Sequence, residues 1–224
     1  GKSDSLEKAE QNMHAIFERF IRTHGLSLLD SPINSPSPSA QWISVDGHPA
    51  DVLGQLGGAH DLIVTGQPKT SQSLGRITTE AALFATGRPV IIAPSEPPIH
   101  MGQTVLIAWN RGPQAARAFH AAKALLLNRA RRVRILSITT GAKKGPSASE
   151  VAANLKWHGI EADVVELSPD YRSVGEVLLA QASAINADLL VMGAFSHSRL
   201  RQLILGGVTE YVFQNGALPV LMAH

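Results

Sequence analysis

The chain has 224 residues, of which 44% are hydrophobic and 17% are charged, and this balance excludes a disordered or fibrous protein. It contains no cysteine, which excludes disulfides and cysteine-ligated metal and suits a reducing cytoplasm. The formal net charge is only +2, so nucleic-acid binding has no global electrostatic support. No apolar run reaches the ~20 residues that span a bilayer. We therefore expect a cytoplasmic globular protein without a nucleic-acid or membrane partner.

The first part of the chain predicts one long helix, a loop and two short strands. Apolar side chains recur at helical spacing over residues 3–24, which predicts an amphipathic helix. Residues 30–39 are rich in serine and proline and predict a loop. Short apolar runs within 60–66 and 88–93 predict strands. Residues 94–103 then form a linker.

The second part of the chain predicts five strands separated by helices. The strands cover residues 104–108, 133–138, 162–167, 188–192 and 219–222. The helices cover residues 113–127, 147–158, 173–186 and 198–215. Pro113 at a first turn, Ser147 with Glu150 as a capping box, and Gly159 just past a helix end support these boundaries. Strands that alternate with helices predict a parallel sheet covered on both faces, with right-handed crossovers.

Two segments of the chain repeat each other at the level of single residues. Residues 60–66 (HDLIVTG) match residues 187–193 (ADLLVMG). Residues 88–93 (RPVIIA) match residues 218–223 (LPVLMA) in the same order. Self-similarity of this kind predicts two copies of one structural unit.

The repeat divides the chain into a first copy, residues 1–97, and a second copy, residues 98–224. The first copy lacks a first strand, a first helix and a second strand, so we expect residues ahead of Gly1 in the natural protein. The alternative is a reduced domain that borrows a strand or stays partly open. Exposed apolar edges invite pairing. We therefore expect two lobes, related by an approximate two-fold axis, that pack through Val90–Ala93 and Val220–Met222.

The connection after the fourth strand of the second copy carries the clearest functional signal. Gly193 ends an apolar strand and lets the chain turn sharply, and Gly206 and Gly207 follow a short polar loop. Free backbone N–H groups and the positive end of a helix dipole favour phosphate at such a place. The alternative is an ordinary strand-to-helix connection with glycines for packing.

This connection resembles the motif of the universal stress protein family, which reads Gly, two residues, Gly, nine residues, then Gly and Ser or Thr. The matching positions are Gly193, Ser196, Gly206 and Gly207; Ser196 replaces the second glycine, and Gly207 replaces the hydroxyl residue. The resemblance covers nearly the whole chain. It implies a tandem α/β protein with two doubly wound, parallel five-stranded sheets, the first of them incomplete. It also implies association between the two copies and a homodimer.

The same resemblance implies that the second copy binds ATP or another adenine nucleotide, with Mg²⁺ when a triphosphate is bound. The site is expected outside the carboxyl ends of the strands, between the first and fourth strands of this copy. Asn110 stands where the family has an Asp that contacts the nucleoside; the alternative role is a turn or helix cap. The phosphates are expected at Gly193, Ser196, Gly206, Gly207 and Thr209.

Trp109 in the second copy and Gly66 in the first copy carry expectations of a different kind. We expect Trp109 to be a packing residue, because a single aromatic side chain is a weak signal of base stacking. In the first copy, Gly66 is followed by Pro68, which removes a backbone donor, and the rest of the motif is absent. The first copy is therefore predicted not to bind nucleotide in the manner of the family.

Three functions stay open from the sequence. The leading hypothesis is a stress-response protein that is not an enzyme, or hydrolyses ATP weakly at most. Ser196 and Gly207 favour the alternative of a protein-interaction module with a vestigial pocket and an unidentified protein partner. An enzyme of the wider nucleotide-binding superfamily is the third option, although no nucleophile or acid–base pair is visible. The histidines show no metal-ligand spacing, so no metal site is expected.

Overall fold

The computed structural model describes residues 2–31, 33–34, 36–68, 70, 73–96, 98–139, 144–168, 170–194 and 207–224. The chain forms two compact units, Gly1–Asp46 and Gly47–His224. None of the described helices is long and apolar enough to cross a membrane.

The first unit contains the predicted amphipathic helix, α1 (Lys2–His24), and two short parallel strands, β1 (Ser27–Leu28) and β2 (Ser39–Ala40). The Trp42 ring lies 5.2 Å from the ring of Phe17 in α1, measured between ring centroids. The apolar stripe of the helix is only partly covered: Ile21 is 8% exposed, whereas Met13 is 55% exposed. The predicted helix is confirmed, and Met13, Ile16 and Phe20 of its apolar face remain exposed.

The second unit contains one large sheet and the helices that cover it. The strands among its described residues are β3 (Ile63–Gly66), β4 (Val90–Ala93), β5 (Thr104–Ala108), β6 (Arg132–Ile138), β7 (Ala162–Leu167), β8 (Leu189–Gly193) and β9 (Val220–Ala223). The helices are α2 (Pro49–Leu56), α3 (Leu74–Ala85), α4 (Pro113–Leu125), α5 (Ala148–Lys156), α6 (Val174–Ala184) and α7 (Gly207–Asn215). Short 3-10 helices cover Gly57–Ala59 and Leu127–Arg129.

The strand order in this sheet is β3-β4-β9-β8-β5-β6-β7. All neighbouring strands are parallel except β4 and β9, which are antiparallel. The five strands of the second copy lie side by side as β9-β8-β5-β6-β7 and confirm the predicted parallel α/β arrangement.

The structure corrects the prediction of two separate five-stranded sheets. The described strands of the first copy that join the large sheet are β3 and β4, and they extend the sheet of the second copy. The physical reason is the antiparallel pairing of Val90 with Met222 and of Ile92 with Val220, which satisfies the backbone groups of two apolar edges at once. The predicted pairing of these edge strands is therefore confirmed. Because β3 corresponds to β8 and β4 to β9 in the repeat, the order β3-β4-β9-β8 is symmetric about the β4–β9 pair. The division at residues 97 and 98 stays a prediction.

Helices bury both faces of the sheet, because successive residues of a strand point to opposite sides. In β5, Val105 and Ile107 belong to one core layer with α4 and α5. Leu106 belongs to the opposite layer with α6 and α7. Exposure of these three side chains is 1% or less, so β5 is a central strand buried on both faces.

Local cap chemistry fixes several helix boundaries as the sequence predicts. The hydroxyl of Ser147 accepts from the backbone N–H of Glu150, and the Glu150 carboxylate accepts from the backbone N–H of Ser147, at 3.2 and 2.7 Å. Ser173 and Glu176 form the same reciprocal pair at the start of α6. Gly159, just past α5, has the left-handed φ of +73° expected at a helix C-terminus.

Candidate functional site

The switch point of the second copy lies between β5 and β8, as the sequence predicts. Val105 pairs with Leu189, and Ala108 pairs with Met192. The chain leaves β5 towards β6 and β7 on one side and returns to β8 and β9 on the other. Parallel α/β sheets bind ligands outside the carboxyl ends of the strands at such a point. The candidate site therefore lies beyond Ala108 and Gly193.

Gly193 is held against the first turn of α4, and this contact explains why the position is a glycine. A Cβ added to Gly193 would lie 2.5 Å from the backbone nitrogen of Ala115 and 2.7 Å from the carbonyl carbon of Gln114. The φ angle of Gly193 lies outside the left-handed region, so the close contact with α4, rather than the backbone conformation, requires a glycine here. Its missing side chain allows β8 and α4 to approach closely. The sharp turn after β8 stays a prediction, because residues 195–206 lie outside the described ranges.

The loop from β5 to α4 is held by hydrogen bonds from Trp109 and Asn110. Trp109 is 3% exposed and donates its indole N–H to the carbonyl of Pro146 at 2.8 Å, which confirms a packing role. The side-chain oxygen of Asn110 accepts from the backbone N–H of Gly112 at 2.9 Å. Asn110 therefore closes the turn ahead of α4, and one lone pair of its oxygen is already engaged.

Arg111 was not singled out by the sequence, and the structure gives it two unusual properties. Its φ of 63° is left-handed, a conformation that costs a non-glycine residue about 1 kcal/mol and that is enriched at functional sites. Its charge also reaches Glu150. The backbone N–H and hydroxyl of Ser147 are the main causes that lower the pKa of Glu150, and the Arg111 guanidinium adds a smaller lowering. A positive charge thus lies beside the switch point.

Gln114 is the second residue that sequence reasoning missed. Its side-chain oxygen is buried and has no hydrogen-bond partner within the described ranges. Buried amide oxygens almost always have a partner. A Cβ added to Gly112 would lie 3.0 Å from the Asn110 oxygen and 3.6 Å from the Gln114 oxygen, so the two acceptors flank the same glycine. The only sequence signal was its place in the first turn of a helix at the switch point.

The remaining predicted residues fall in α7 and in the segment before it. Gly207 begins α7, and nothing lies within 4 Å of a Cβ added there. Thr209 is 3% exposed, and this burial favours a packing role. Ser196 and Gly206 lie outside the described residues. The structure therefore brings Gly193, Asn110 and Gln114 together at the first turn of α4. Among the described residues, no group of three histidine, aspartate or glutamate side chains is placed to hold a metal ion.

A comparison with family models decides the relationship of this chain to known proteins. The model of the universal stress protein family matches residues 101–224, more than half of the chain. The chain belongs to the universal stress protein family. No curated protein matches it.

Two solved structures show the same fold over most of this chain. A universal stress protein from Archaeoglobus fulgidus DSM 4304 is 21% identical, and the match covers 97% of this chain and 76% of that one with a TM-score of 0.71. A putative universal stress protein from Pseudomonas aeruginosa UCBPP-PA14 is 16% identical over 93% of this chain and 77% of its own, with a TM-score of 0.55. A universal stress protein in complex with cAMP is 20% identical over 56% of this chain and 98% of its own, with a TM-score of 0.43.

Proposed function

We propose that this universal stress protein binds an adenine nucleotide at the switch point of its second copy, in a stress-response role with weak hydrolysis at most. The observation that supports the proposal is the buried oxygen of Gln114, which lacks a hydrogen-bond partner among the described residues. A ribose hydroxyl or the amino group of adenine would supply the missing donor. The left-handed Arg111 and the engaged Asn110 shape the same loop.

The residues of this edge divide into a nucleoside side and a phosphate side. Gln114 and Asn110 would contact the nucleoside. The phosphates would meet backbone N–H groups of Gly193, Ser196, Gly206 and Gly207, and Thr209 could contribute its hydroxyl only if ligand binding exposed it. Bound Mg²⁺ would take most of its ligands from phosphate oxygens and water, as this ion usually does. No acidic cluster among the described residues competes for that role.

The wider organisation is part of the same proposal. We infer a tandem protein in which the first copy does not bind nucleotide, a homodimer as the assembled form, and a cytoplasmic location. The competing function is a protein-interaction module with a vestigial pocket, which Ser196 and Gly207 favour. The two functions differ in one measurable property, the affinity for ATP.

Calorimetric titration with ATP, with and without Mg²⁺, tests the proposal, and cAMP serves as a second probe. Gln114→Leu should weaken ATP binding about fivefold, because one hydrogen bond is lost. The same substitution should leave the thermal stability of the ligand-free protein unchanged or raised, because it removes a buried acceptor without a partner. Gln181→Leu, on α6 at the opposite face of the sheet, is the matched control and should bind ATP like the parent. If millimolar ATP produces no binding heat and no thermal stabilisation of the parent protein, the interaction module is favoured instead.

A gain of binding makes the test sharper. Gly207→Ser would restore the hydroxyl of the family motif, and the open space around Gly207 accommodates the side chain. We expect ATP binding to tighten about threefold, which corresponds to one modest net hydrogen bond. An unchanged ATP affinity in this variant would argue against phosphates at the start of α7.

A further inference from the structure

Helix α7 of the second copy is tied to the first copy by a buried arginine. Arg76, in the first turn of α3, is 7% exposed. Its Nε donates to the Glu80 carboxylate at 2.6 Å, and its Nη2 donates to the Glu210 carboxylate at 2.7 Å. Its guanidinium carbon also lies 5.5 Å from the centre of the Phe213 ring. Glu80 belongs to α3, whereas Glu210 belongs to the first turn of α7.

A second side chain from the first copy holds the other end of α7. The side-chain amide of Gln67 donates to the carbonyls of Phe213 and Gly216 at 2.6 and 2.9 Å. Carbonyls at the end of a helix lack partners within the helix, so these bonds satisfy groups that would otherwise be unpaired. The nine-residue helix α7 is thus held near both ends by residues that follow β3.

The two carboxylates around Arg76 occupy matching places in the repeat. Thr79-Glu80 in α3 corresponds to Thr209-Glu210 in α7, and both threonines are buried. Arg76 is the cation that both glutamates contact in the structure. Without it the two carboxylates would face each other in a half-buried place, where like charges repel strongly. Arg76 therefore offsets the repulsion between a carboxylate of α3 and a carboxylate in the first turn of α7.

We propose that Arg76 is a positioning residue that holds the first turn of α7 for ligand binding by the second copy, through its ion pair with Glu210. This inference rests on the proposed nucleotide site, because α7 begins at Gly207. The first copy, predicted not to bind nucleotide itself, then shapes the site of the second copy. The ligand class is the same adenine nucleotide.

Glu80 and Glu210 provide a matched pair of variants for the test. Glu80→Gln and Glu210→Gln each remove one negative charge and one ion pair from the same guanidinium, but only Glu210 lies on α7. The direct electrostatic effect of each substitution on ATP affinity can also be predicted. Removal of a carboxylate near a bound phosphate would by itself tighten ATP binding. Weaker ATP binding by Glu210→Gln therefore reports lost positioning.

ATP titration of the full chain and hydrogen exchange of the ligand-free protein decide the matter. We expect Glu210→Gln to weaken ATP binding about fivefold or more, and Glu80→Gln to change it by less than about twofold. Backbone amides of α7 should exchange faster in Glu210→Gln than in Glu80→Gln. Equal losses in both variants, or unchanged or tighter binding by Glu210→Gln, overturn the inference. If the parent protein binds no nucleotide, the proposed function fails, and equal exchange rates in the two variants then refute the positioning of α7 separately.

Discussion

Gly66 and Gly193 occupy the same place in the repeat, yet the structure gives them different constraints. A Cβ added to Gly66 would meet nothing within 4 Å. A Cβ added to Gly193 would lie 2.5 Å from the backbone of α4. The difference arises because the first turn of α4 packs directly on Gly193, whereas α3 contacts β3 at Thr65, through the Thr79 hydroxyl, and leaves the space beside Gly66 open. Two glycines at matching places in the repeat can therefore differ in whether the surrounding structure has room for a side chain.

The aspartates that precede the two strands differ in the same way. The Asp188 carboxylate accepts from three successive backbone N–H groups, those of Gly102, Gln103 and Thr104, at 2.9, 3.0 and 3.0 Å. Asp61 occupies the matching place and is exposed. The amides that Asp188 binds belong to the last two residues of the linker and the first residue of β5, a strand with no counterpart among the described residues of the first copy. Asp188 thus joins the linker to the sheet.

The largest effect is expected from Gly193→Val. The branched side chain would collide with backbone atoms of α4, which cannot move aside cheaply, so we expect a loss of about 3 kcal/mol or more in the free energy of unfolding. Gly66→Val, in open space, should change it by less than about 0.5 kcal/mol. Chemical denaturation measures both. Equal losses in the two variants would contradict the comparison. Gly193→Val is consequently a test of folding, and Gln114→Leu is the better test of ligand binding.

Arg76→Met should cost somewhat less, about 2–3 kcal/mol, because it leaves two half-buried carboxylates without their cation. A triple variant that adds Glu80→Gln and Glu210→Gln to Arg76→Met should recover most of this loss, since no unpaired charge then remains. Denaturant titration of the parent, Arg76→Met, the Glu80→Gln/Glu210→Gln double variant and the triple variant gives the coupling energy. A loss as large in the triple variant as in Arg76→Met alone would show that packing of the arginine, rather than its charge, stabilises the contact.

The aspartate pair gives an intermediate effect. Asp188→Ala should lower the free energy of unfolding by about 2 kcal/mol, because three backbone donors lose a charged acceptor. Asp61→Ala should stay within about 0.5 kcal/mol of the parent protein. The measurement is again chemical denaturation. A substantial loss in Asp61→Ala would indicate contacts of that carboxylate beyond those that the structure shows.

The smallest expected effect is a difference in pH dependence between two helix caps, Ser173 at the start of α6 and Ser73 at the start of α3. Ser173 caps α6 and forms a capping box with Glu176, three residues further on. Ser73 caps α3 in the same way, but the residue three positions further on is Arg76, so no carboxylate completes a capping box there. Hydrogen bonds from the Ser173 N–H and hydroxyl lower the pKa of Glu176, so this carboxylate stabilises the fold above its ordinary pKa. That contribution is lost as the pH falls through the lowered value.

Ser173→Ala should cost about 1 kcal/mol at neutral pH through the lost helix cap. A small part of this cost should disappear towards about pH 3, because the variant keeps the backbone N–H, which is the main cause of the lowered pKa of Glu176, and loses only the hydroxyl beside that carboxylate. Ser73→Ala should show a similar cost without the decrease, because its cap has no carboxylate. Denaturation at both pH values checks the pair. A cost of Ser173→Ala that is the same at both values would contradict the role assigned to Glu176.

Local patterns in the sequence were enough to predict most of the secondary structure of the second copy. The strands at residues 104–108 and 162–167 have the predicted bounds, and Ser147 and Gly159 mark both ends of α5. Periodicity and capping act between residues within a few positions of one another. The parallel arrangement followed from the alternation of strands and helices, and the switch point followed from the resemblance to the universal stress protein family. These features needed no knowledge of distant contacts.

Tertiary structure decided the features that join residues far apart in the chain. Arg76 and Glu210 are separated by 134 positions, and no periodicity or motif relates them. The contact of Gly193 with α4 and the buried oxygen of Gln114 depend likewise on how a strand and a helix pack. The contact between β4 and β9 was predictable from their exposed apolar edges, but the antiparallel ladder that joins the strands of both copies into one sheet was visible only in the structure. The sequence by itself determined the local elements, and packing between distant segments determined the site.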